Sequence, residues 1–309
     1  MKPREWGMFG LLGLIWGSSF LWIKVALGDA PGHGFAPLLL VTFRLLFGLA
    51  GLLALLAARG LSLPRDRPTL RACAIVGLVN TALPFALITW GETRIASGMA
   101  AILNGTVPLF TIVIAHFALH DEPITPARSL GLIAGFAGVV LLMSRGLGSA
   151  LGSVWGQLAV VSAAISYAGA AAYTRRSLRG LSPLVQACTT LLFAAAYLVV
   201  AVVVLERPVA LPSAPLAWLA TAWLGLLGSC VAYLLYFSLI NAWGATRASL
   251  VTYVFPVVGL LLGIIVLGEP TDWRLLAGTA MVVAGIVIVN ARALAGALPR
   301  RGARGTRSA

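Results

Sequence analysis

Charged residues are scarce in this chain. They make up 10% of its 309 residues, whereas a soluble domain carries about 25%. Only nine residues are acidic and 60% are hydrophobic, which gives a mean hydropathy of +0.98. So little charge excludes an ordinary soluble domain and indicates an integral membrane protein.

Cysteine and histidine are also rare, with three residues of each. The cysteines lie far apart and form no C-x-x-C pair, which argues against a disulfide or a thiolate metal site. His33, His116 and His120 make no metal-like spacing with the acidic residues. We therefore expect no metal and no cofactor. An integral-membrane enzyme, which would need such a cluster near one interface, is kept as an alternative.

Long hydrophobic stretches dominate the sequence. A helix needs about 20 apolar residues to cross a bilayer core, and ten stretches approach that length. They lack the alternation of a barrel strand, so we predict an all-α integral membrane protein. The first stretch has no small-residue cleavage site and is expected to be retained. The predicted spans are 6–28, 37–58, 70–90, 96–119, 127–144, 154–174, 183–205, 216–240, 246–268 and 273–291.

Basic residues predict the orientation of these spans. With a cytoplasmic N-terminus, most of the 22 lysines and arginines fall in cytoplasmic segments, and only Arg94, Arg145, Arg207 and Arg274 fall outside. This bias places both termini on the cytoplasmic side. The membrane is expected to be a bacterial-type inner membrane. The net charge of +13 is spread over short loops, so no nucleic-acid partner is expected. Residues 292–309 form a basic cytoplasmic tail.

The two halves of the sequence repeat each other. Pro256 follows Pro108 by 148 residues, and Glu269 follows Glu122 by 147. The glycine pairs Gly131/Gly278 and Gly138/Gly285 also have the 147-residue offset. A constant offset indicates an internal repeat, which we assign to residues 6–144 and 154–291. Because each repeat has five helices, the copies have opposite orientations in the bilayer, as in many transporters.

Short motifs place the chain near a known family. The first helix contains Trp16-Gly17-Ser18-Ser19-Phe20 and then Lys24, and the second contains Arg44. In these features, and in the Pro…Glu-Pro ends of helices four and nine, residues 8–291 resemble the EamA-type transporters of the drug/metabolite transporter superfamily. The resemblance implies a ten-helix exporter whose central cavity is lined mainly by helices 1, 3, 4, 6, 8 and 9. Asp121 and the sequence Ser166-Tyr167-Ala168 depart from the family pattern, which weakens transfer of a particular substrate.

Polar side chains inside the spans are the candidates for this cavity, because a polar group in hydrocarbon is costly. Trp16, near the middle of its helix, could stack on a substrate. The alternative for each polar residue is a hydrogen bond between helices or to the backbone of its own helix. The predicted cavity residues are Trp16, Ser19, Asn80, Thr81, Asn104, Ser166, Ser229, Tyr233, Thr252 and Tyr253.

Three prolines and two basic residues complete the predicted site. Pro84, Pro108 and Pro256 each remove a backbone donor inside a helix and are predicted kinks. Lys24 and Arg44 lie towards the external side. We expect Lys24 to extend to the interface. Arg44 is expected to bond helix-end carbonyls or to attract an anionic group at an outer vestibule.

Carboxylates are expected to be absent from the membrane interior, because all nine acidic residues fall in loops or at span ends. Coupling to protons or sodium commonly uses an intramembrane carboxylate. We therefore hypothesise that transport is weakly coupled or uncoupled and is driven by the substrate's own gradient.

The sequence favours an exporter of small neutral or zwitterionic metabolites, in particular amino acids, that works by alternating access. The resemblance includes such exporters, and the inferred cavity offers amides, hydroxyls and aromatic rings but no central charge. The alternatives are drug or nucleoside efflux by the same fold and, from another class, an enzyme or a channel. The expected partners are a small-molecule substrate and the lipid bilayer. The oligomeric state stays open, and the sequence is compatible with a monomer.

Overall fold

The computed structural model describes residues 3–30, 32–119, 125–144, 152–243 and 248–289. Within these ranges every regular element is helical. Nine of the described helices are long and apolar enough to cross a membrane, and a tenth is shorter. In chain order they are α1 Pro3–Leu27, α2 Pro37–Ala58, α3 Arg67–Glu92, α4 Ser97–Phe117, α5 Pro126–Met143, α6 Val154–Ser177, α7 Pro183–Leu205, α8 Pro215–Tyr236, α9 Leu250–Leu267 and α10 Trp273–Val289. The predicted all-α membrane fold is confirmed.

Several of these helices contain an irregular turn. α1 is interrupted at Ser18, and α4 is interrupted between Asn104 and Val107. α3 contains the π-helical segment Leu78–Ala82, and α8 contains the π-helical segment Leu226–Val231. α9 begins in the 3-10 segment Ser249–Tyr253. Short π-helical segments are rare and often lie at functional sites.

The π-helical segments begin at equivalent positions of the two halves. Leu226 follows Leu78 by 148 residues, the offset that also separates Pro108 from Pro256. The repeat therefore extends from the sequence to the local distortion of the backbone.

Helix contacts relate α1–α5 to α6–α10 by a two-fold exchange. α2, α4 and α5 each pack on their own counterparts, α7, α9 and α10. Other contacts follow the same exchange: α1 packs on α8 and α9 as α6 packs on α3 and α4, and α2 packs on α8 as α7 packs on α3. Counterparts are five helices apart, so they run in opposite directions. The pseudo-two-fold axis of these inverted repeats lies in the membrane plane.

The contact between α5 and α10 depends on glycine. A Cβ atom on Gly285 would lie 2.6 Å from the Gly131 carbonyl oxygen, and a Cβ on Gly138 would lie 2.8 Å from the Gly278 carbonyl oxygen. The two backbones therefore touch, as in other small-residue helix pairs. These are the four glycines that carry the sequence repeat.

Two glutamates cap helices of the opposite half. Glu206, after α7, accepts hydrogen bonds from the Leu38 and Leu39 N–H groups at 2.8 and 2.9 Å. Glu269, after α9, accepts hydrogen bonds from the first two N–H groups of α4 at 2.6 and 2.9 Å. The N–H groups of a first helical turn lack helical partners, and the helix dipole favours an anion there. We call the end of the bundle that holds Glu92, Glu206 and Glu269 the carboxylate end. Glu122, the repeat equivalent of Glu269, lies outside the described residues.

Replacing Glu269 with alanine is expected to destabilise the protein by about 1–3 kcal/mol, because the N–H groups of Ser97 and Gly98 lose their acceptor. Thermal unfolding of the purified protein in detergent measures this loss. Glu269→Gln keeps one acceptor oxygen and should lose less. Equal melting temperatures for Glu269→Ala and the wild type would contradict the cap.

Candidate functional site: a central cavity

A cavity of about 540 Å³ lies between the two halves. Its volume is within the range of small-ligand sites. The lining comes from α1–α4 and from α6–α9. Its polar and aromatic residues are Trp16, Ser19, Phe20, Arg44, Asn80, Phe85, Asn104, Thr111, Tyr167, Ser229, Tyr233, Tyr236, Thr252, Tyr253 and Phe255.

Equivalent positions of the two repeats meet at this cavity. Asn80 and Gly228 belong to the π-helical segments of α3 and α8. Asn104 precedes the break in α4, and Thr252 lies in the 3-10 segment of α9. Each pair is separated by 148 residues, and all four residues line the cavity. The cavity therefore lies at the pseudo-two-fold axis.

Three of these four residues have a proline four positions later in the chain. Proline has no N–H group to donate to the carbonyl four residues earlier, and its ring displaces that carbonyl. Three cavity residues therefore lose the regular helical partner of their carbonyl, and the irregular turns of α3, α4 and α9 precede the prolines. The three pairs are Asn80 with Pro84, Asn104 with Pro108, and Thr252 with Pro256.

The carbonyl of Gly228, the fourth position, has a different partner. The indole N–H of Trp16 donates a hydrogen bond to it at 2.9 Å, which joins α1 to the π-helical turn of α8. The ring centroids of Tyr233, Tyr236 and Phe255 lie 6.4, 5.3 and 5.7 Å from that of Trp16. Trp16 thus forms part of an aromatic wall, and its polar atom is already paired.

Arg44 lies on the wall of the central cavity. Its side chain is 6% exposed, and its guanidinium carbon lies 4.2 Å from the centre of the Phe85 ring. Its Nε atom has no hydrogen-bond partner in the described part of the chain. The sequence placed Arg44 at an outer vestibule, but the residue is seven positions into α2, about 10 Å along the helix axis. The cavity extends to that level, so Arg44 is a cavity residue.

Lys24 has one of the two roles that were predicted for Arg44. Its ammonium group donates hydrogen bonds to the carbonyl oxygens of Glu92 at 2.6 Å and Ile95 at 3.1 Å. A cation at a helix C-terminus is favourable, because the terminal carbonyls lack helical partners. The Lys24 side chain therefore reaches the end of α3, where backbone carbonyls hold its ammonium group. Lys24 lines a smaller cavity of about 240 Å³ at the carboxylate end.

Comparison with known proteins identifies the family. Residues 6–144 and 154–291 each match the EamA-like transporter family. The chain belongs to this family. The uncharacterized inner membrane transporter YedA of Escherichia coli (strain K12) is 30% identical over 295 residues, which cover 94% of this chain and 91% of YedA. The probable terminal-alkyne amino-acid exporter of Streptantibioticus cattleyicolor is 27% identical over 300 residues, which cover 95% of each protein.

A solved crystal structure has the same fold. It matches this EamA-family chain with a TM-score of 0.66 and 23% identity, over 96% of this chain and 99% of the other. The family and its relatives are transporters, so the chain is a multi-pass membrane transporter, as the sequence predicted. The resemblance implied a cavity lined mainly by six helices. In this EamA-family transporter, α2 and α7 also contribute residues.

Two residues predicted for the cavity lie outside its lining. Thr81 is 1% exposed and is absent from the lining, although the neighbouring Asn80 belongs to it. The hydroxyl of Ser166 donates a hydrogen bond to the Val79 carbonyl at 2.6 Å, which is the contact between helices that was the alternative. Tyr167, the next residue, lines the cavity instead. Neighbouring helical residues point about 100° apart, so the correct helix was predicted but the wrong face.

The hinge residues are distributed differently around the site. Pro108 lines the cavity, but Pro84 and Pro256 do not. Pro256 packs against the break in α4, because a Cβ on Gly105 would collide with the Pro256 ring. The remaining predicted cavity residues line the site as listed above, together with Tyr236.

Glu92 contradicts the expected absence of a buried carboxylate. It is the last residue of α3, and its side chain is 0% exposed. Neither carboxylate oxygen has a hydrogen-bond partner among the residues that the structure describes. Glu92 ends its span, as expected, but the bundle buries it at this end, where Lys24, Phe35 and Pro37 line a small cavity with it. The bundle therefore holds a buried carboxylate at a span end, a feature that its position in the sequence did not indicate.

Proposed function

We propose that this transporter exports small neutral or zwitterionic metabolites, foremost amino acids, across a bacterial inner membrane. Arg44 carries the proposal. It is the one charged side chain among the described residues that line the cavity, and its buried Nε has no partner there. A guanidinium binds a carboxylate through short, charge-assisted and often bidentate hydrogen bonds. The α-carboxylate of a substrate supplies that partner.

Acceptors for an ammonium group lie on the same cavity wall. The Oδ1 atom of Asn104 is buried and has no hydrogen-bond partner in the described ranges. The carbonyls of Asn80 and Asn104 each lie four residues before a proline, which has no N–H group to donate to them. The rings of Trp16 and Tyr233 add electron-rich faces that attract cations. A zwitterion therefore meets a partner for each of its charges.

The rest of the lining suits a neutral side chain. Ile23, Ile88, Val107 and Ile112 contribute an apolar surface, and burying an apolar group against it is favourable. The Streptantibioticus relative, named as an exporter of an amino acid, supports the same substrate class.

Transport proceeds by alternating access, in which one repeat rocks against the other around the cavity. The hinges are the turns before Pro84, Pro108 and Pro256, because their regular hydrogen bonds are already missing. We keep the orientation that the basic residues indicate. Both termini and the tail 292–309 then lie in the cytoplasm, and the carboxylate end faces outside.

Counterflow into proteoliposomes tests the substrate class. Vesicles loaded with unlabelled leucine should accumulate labelled leucine in a saturable manner, and protein-free vesicles should not.

Efflux of drugs or nucleosides is the second candidate, because the wall around Trp16 also suits flat ligands. Vesicles loaded with uridine or ethidium test this candidate. Saturable counterflow of either compound, with none of leucine, would replace the amino-acid proposal.

Asn104→Leu is expected to reduce leucine counterflow by about 10- to 100-fold, the loss of one hydrogen bond to a charged group. Asn80→Leu should reduce it in the same direction. Thr89→Val, which removes a buried hydroxyl from α3 outside the lining, is the control and should keep the flux. Thermal unfolding confirms that each variant is folded. Normal flux in both asparagine variants would remove them from the site.

A further inference from the structure

Glu92 differs from the other two carboxylates of the carboxylate end. Glu206 and Glu269 each accept two backbone hydrogen bonds. Glu92 has 0% exposure, and within the described residues both of its oxygens lack a donor. Among the described residues it therefore caps no helix and has no hydrogen-bonded cation that would explain its burial.

An ionised carboxylate without a partner is costly to bury, by several kcal/mol or more. The neutral carboxylic acid costs much less, because it carries no charge. Lys24 is close, but its ammonium group donates to the backbone carbonyls of Glu92 and Ile95. The arrangement in the structure thus favours a proton on Glu92.

The smaller cavity gives this proton a route. Lys24, Asp29, Phe35, Glu92 and Thr93 are among the residues that line it. Asp29 and Thr93 are exposed, so the cavity reaches the surface at the carboxylate end. Its volume of about 240 Å³ has room for several water molecules, each of which occupies about 30 Å³.

Charges on several elements face Glu92. Lys24 on α1 and Arg44 on α2 favour its ionised form, whereas Glu269 after α9 opposes it. Asp29 lines the same small cavity and, when ionised, also opposes the ionised form. Within the described residues the two cations do not supply hydrogen bonds to the carboxylate, and water can supply them when this end opens.

We propose that Glu92 is a proton-binding site and that its protonation permits the carboxylate end to close during transport. On closing, a hydronium ion donates its proton to the Glu92 carboxylate, which leaves a water molecule and a neutral carboxylic acid. On opening, water reaches the group, which returns the proton and ionises. Ile88 is one helical turn before Glu92 and lines the central cavity, so the same helix connects the proton site to the substrate site.

The sign of the pH dependence follows from this scheme. The closed end requires the protonated form, so closure is favoured at low pH and is lost as the pH rises. With equal pH inside and outside the vesicles, leucine counterflow by the wild type should fall by up to tenfold per pH unit on its alkaline limb, as for one required proton. Equal pH on both sides makes the orientation of the protein in the vesicle irrelevant.

Glu92→Gln tests the site, because glutamine resembles the neutral acid and does not ionise. This variant should transport leucine with a flat profile, within about twofold between about pH 5.5 and pH 8.5. Glu206→Gln, a carboxylate with both oxygens paired at the same end, should keep the profile of the wild type. A Glu92→Gln profile that matches the wild type would overturn the proposal.

A second measurement needs neither this variant nor transport. Dicyclohexylcarbodiimide reacts with protonated carboxyl groups in apolar surroundings, and mass spectrometry of the wild-type protein locates the adduct. We expect labelling at Glu92 that declines with rising pH, and little at Glu206 or Glu269. No labelling of Glu92 at acidic pH would overturn the proton site.

The counterflow readout depends on the proposed amino-acid transport. If Glu92 is labelled as expected but no leucine flux is observed, only the proposed function is contradicted.

Discussion

Arg44→Gln is expected to reduce leucine counterflow by about 30-fold or more. Removing one partner of a buried, hydrogen-bonded charge pair costs about 2–5 kcal/mol, and each 1.4 kcal/mol is tenfold in affinity. The guanidinium is 6% exposed and lines the cavity, so bulk water cannot replace it. Proteoliposome counterflow at subsaturating leucine measures the loss.

Two controls separate recognition of the carboxylate from a structural role. Arg94→Gln removes an exposed arginine that stacks on Trp90 at 4.3 Å, and it should leave the flux unchanged. Isoamylamine is leucine without its carboxylate, and it should compete far less well than leucine for the wild type. In Arg44→Gln the two competitors should become similar. An equal preference for leucine over isoamylamine in both proteins would contradict the role of Arg44.

Gly285→Val is expected to destabilise the protein by about 3 kcal/mol or more, the upper part of the range for overpacking. A Cβ at this position would lie 2.6 Å from the Gly131 carbonyl oxygen and 2.7 Å from the Gly135 Cα. Both neighbours are backbone atoms of α5, so no side-chain rotation relieves the clash and the helices must separate. Thermal unfolding in detergent should show a melting temperature lower by roughly 6–12 °C.

Gly10→Val is the matched control for this substitution. Gly10 lies in α1, is exposed, and has open space around its Cβ position. Gly10→Val introduces the same β-branched side chain into a helix without a collision, so the melting temperature should change little. Equal melting temperatures for Gly285→Val and Gly10→Val would contradict the close contact between α5 and α10.

The sequence predicted the helices and the repeat because both depend on local patterns. A hydrophobic stretch of sufficient length indicates a membrane span wherever it occurs in the chain. The offset between Pro108 and Pro256 does not depend on how the chain packs. The same offset relates Asn80 to Gly228 and Asn104 to Thr252. These pairs are not evident from the sequence, because their members are different residue types. The amides of Asn80 and Asn104 were selected because a polar group inside a span needs partners.

The sequence did not predict features that depend on neighbouring helices. Ser166 and Tyr167 are adjacent, and only the packing of α6 against α3 decides which of them faces the cavity. Arg44 was assigned from its depth in α2, which gives its level in the membrane but not its neighbours. Glu92 ends a span and therefore looked exposed, whereas the packing of the bundle around the end of α3 buries its side chain.

Equilibrium binding of labelled leucine to the purified protein in detergent tests the central claim most directly, because it needs neither vesicles nor a gradient. We expect saturable binding to one site per chain, displaced by unlabelled leucine and weakened at least tenfold by Arg44→Gln or Asn104→Leu. Saturable binding that both variants leave unchanged would show that the site is not the cavity between the two halves, and would contradict the account.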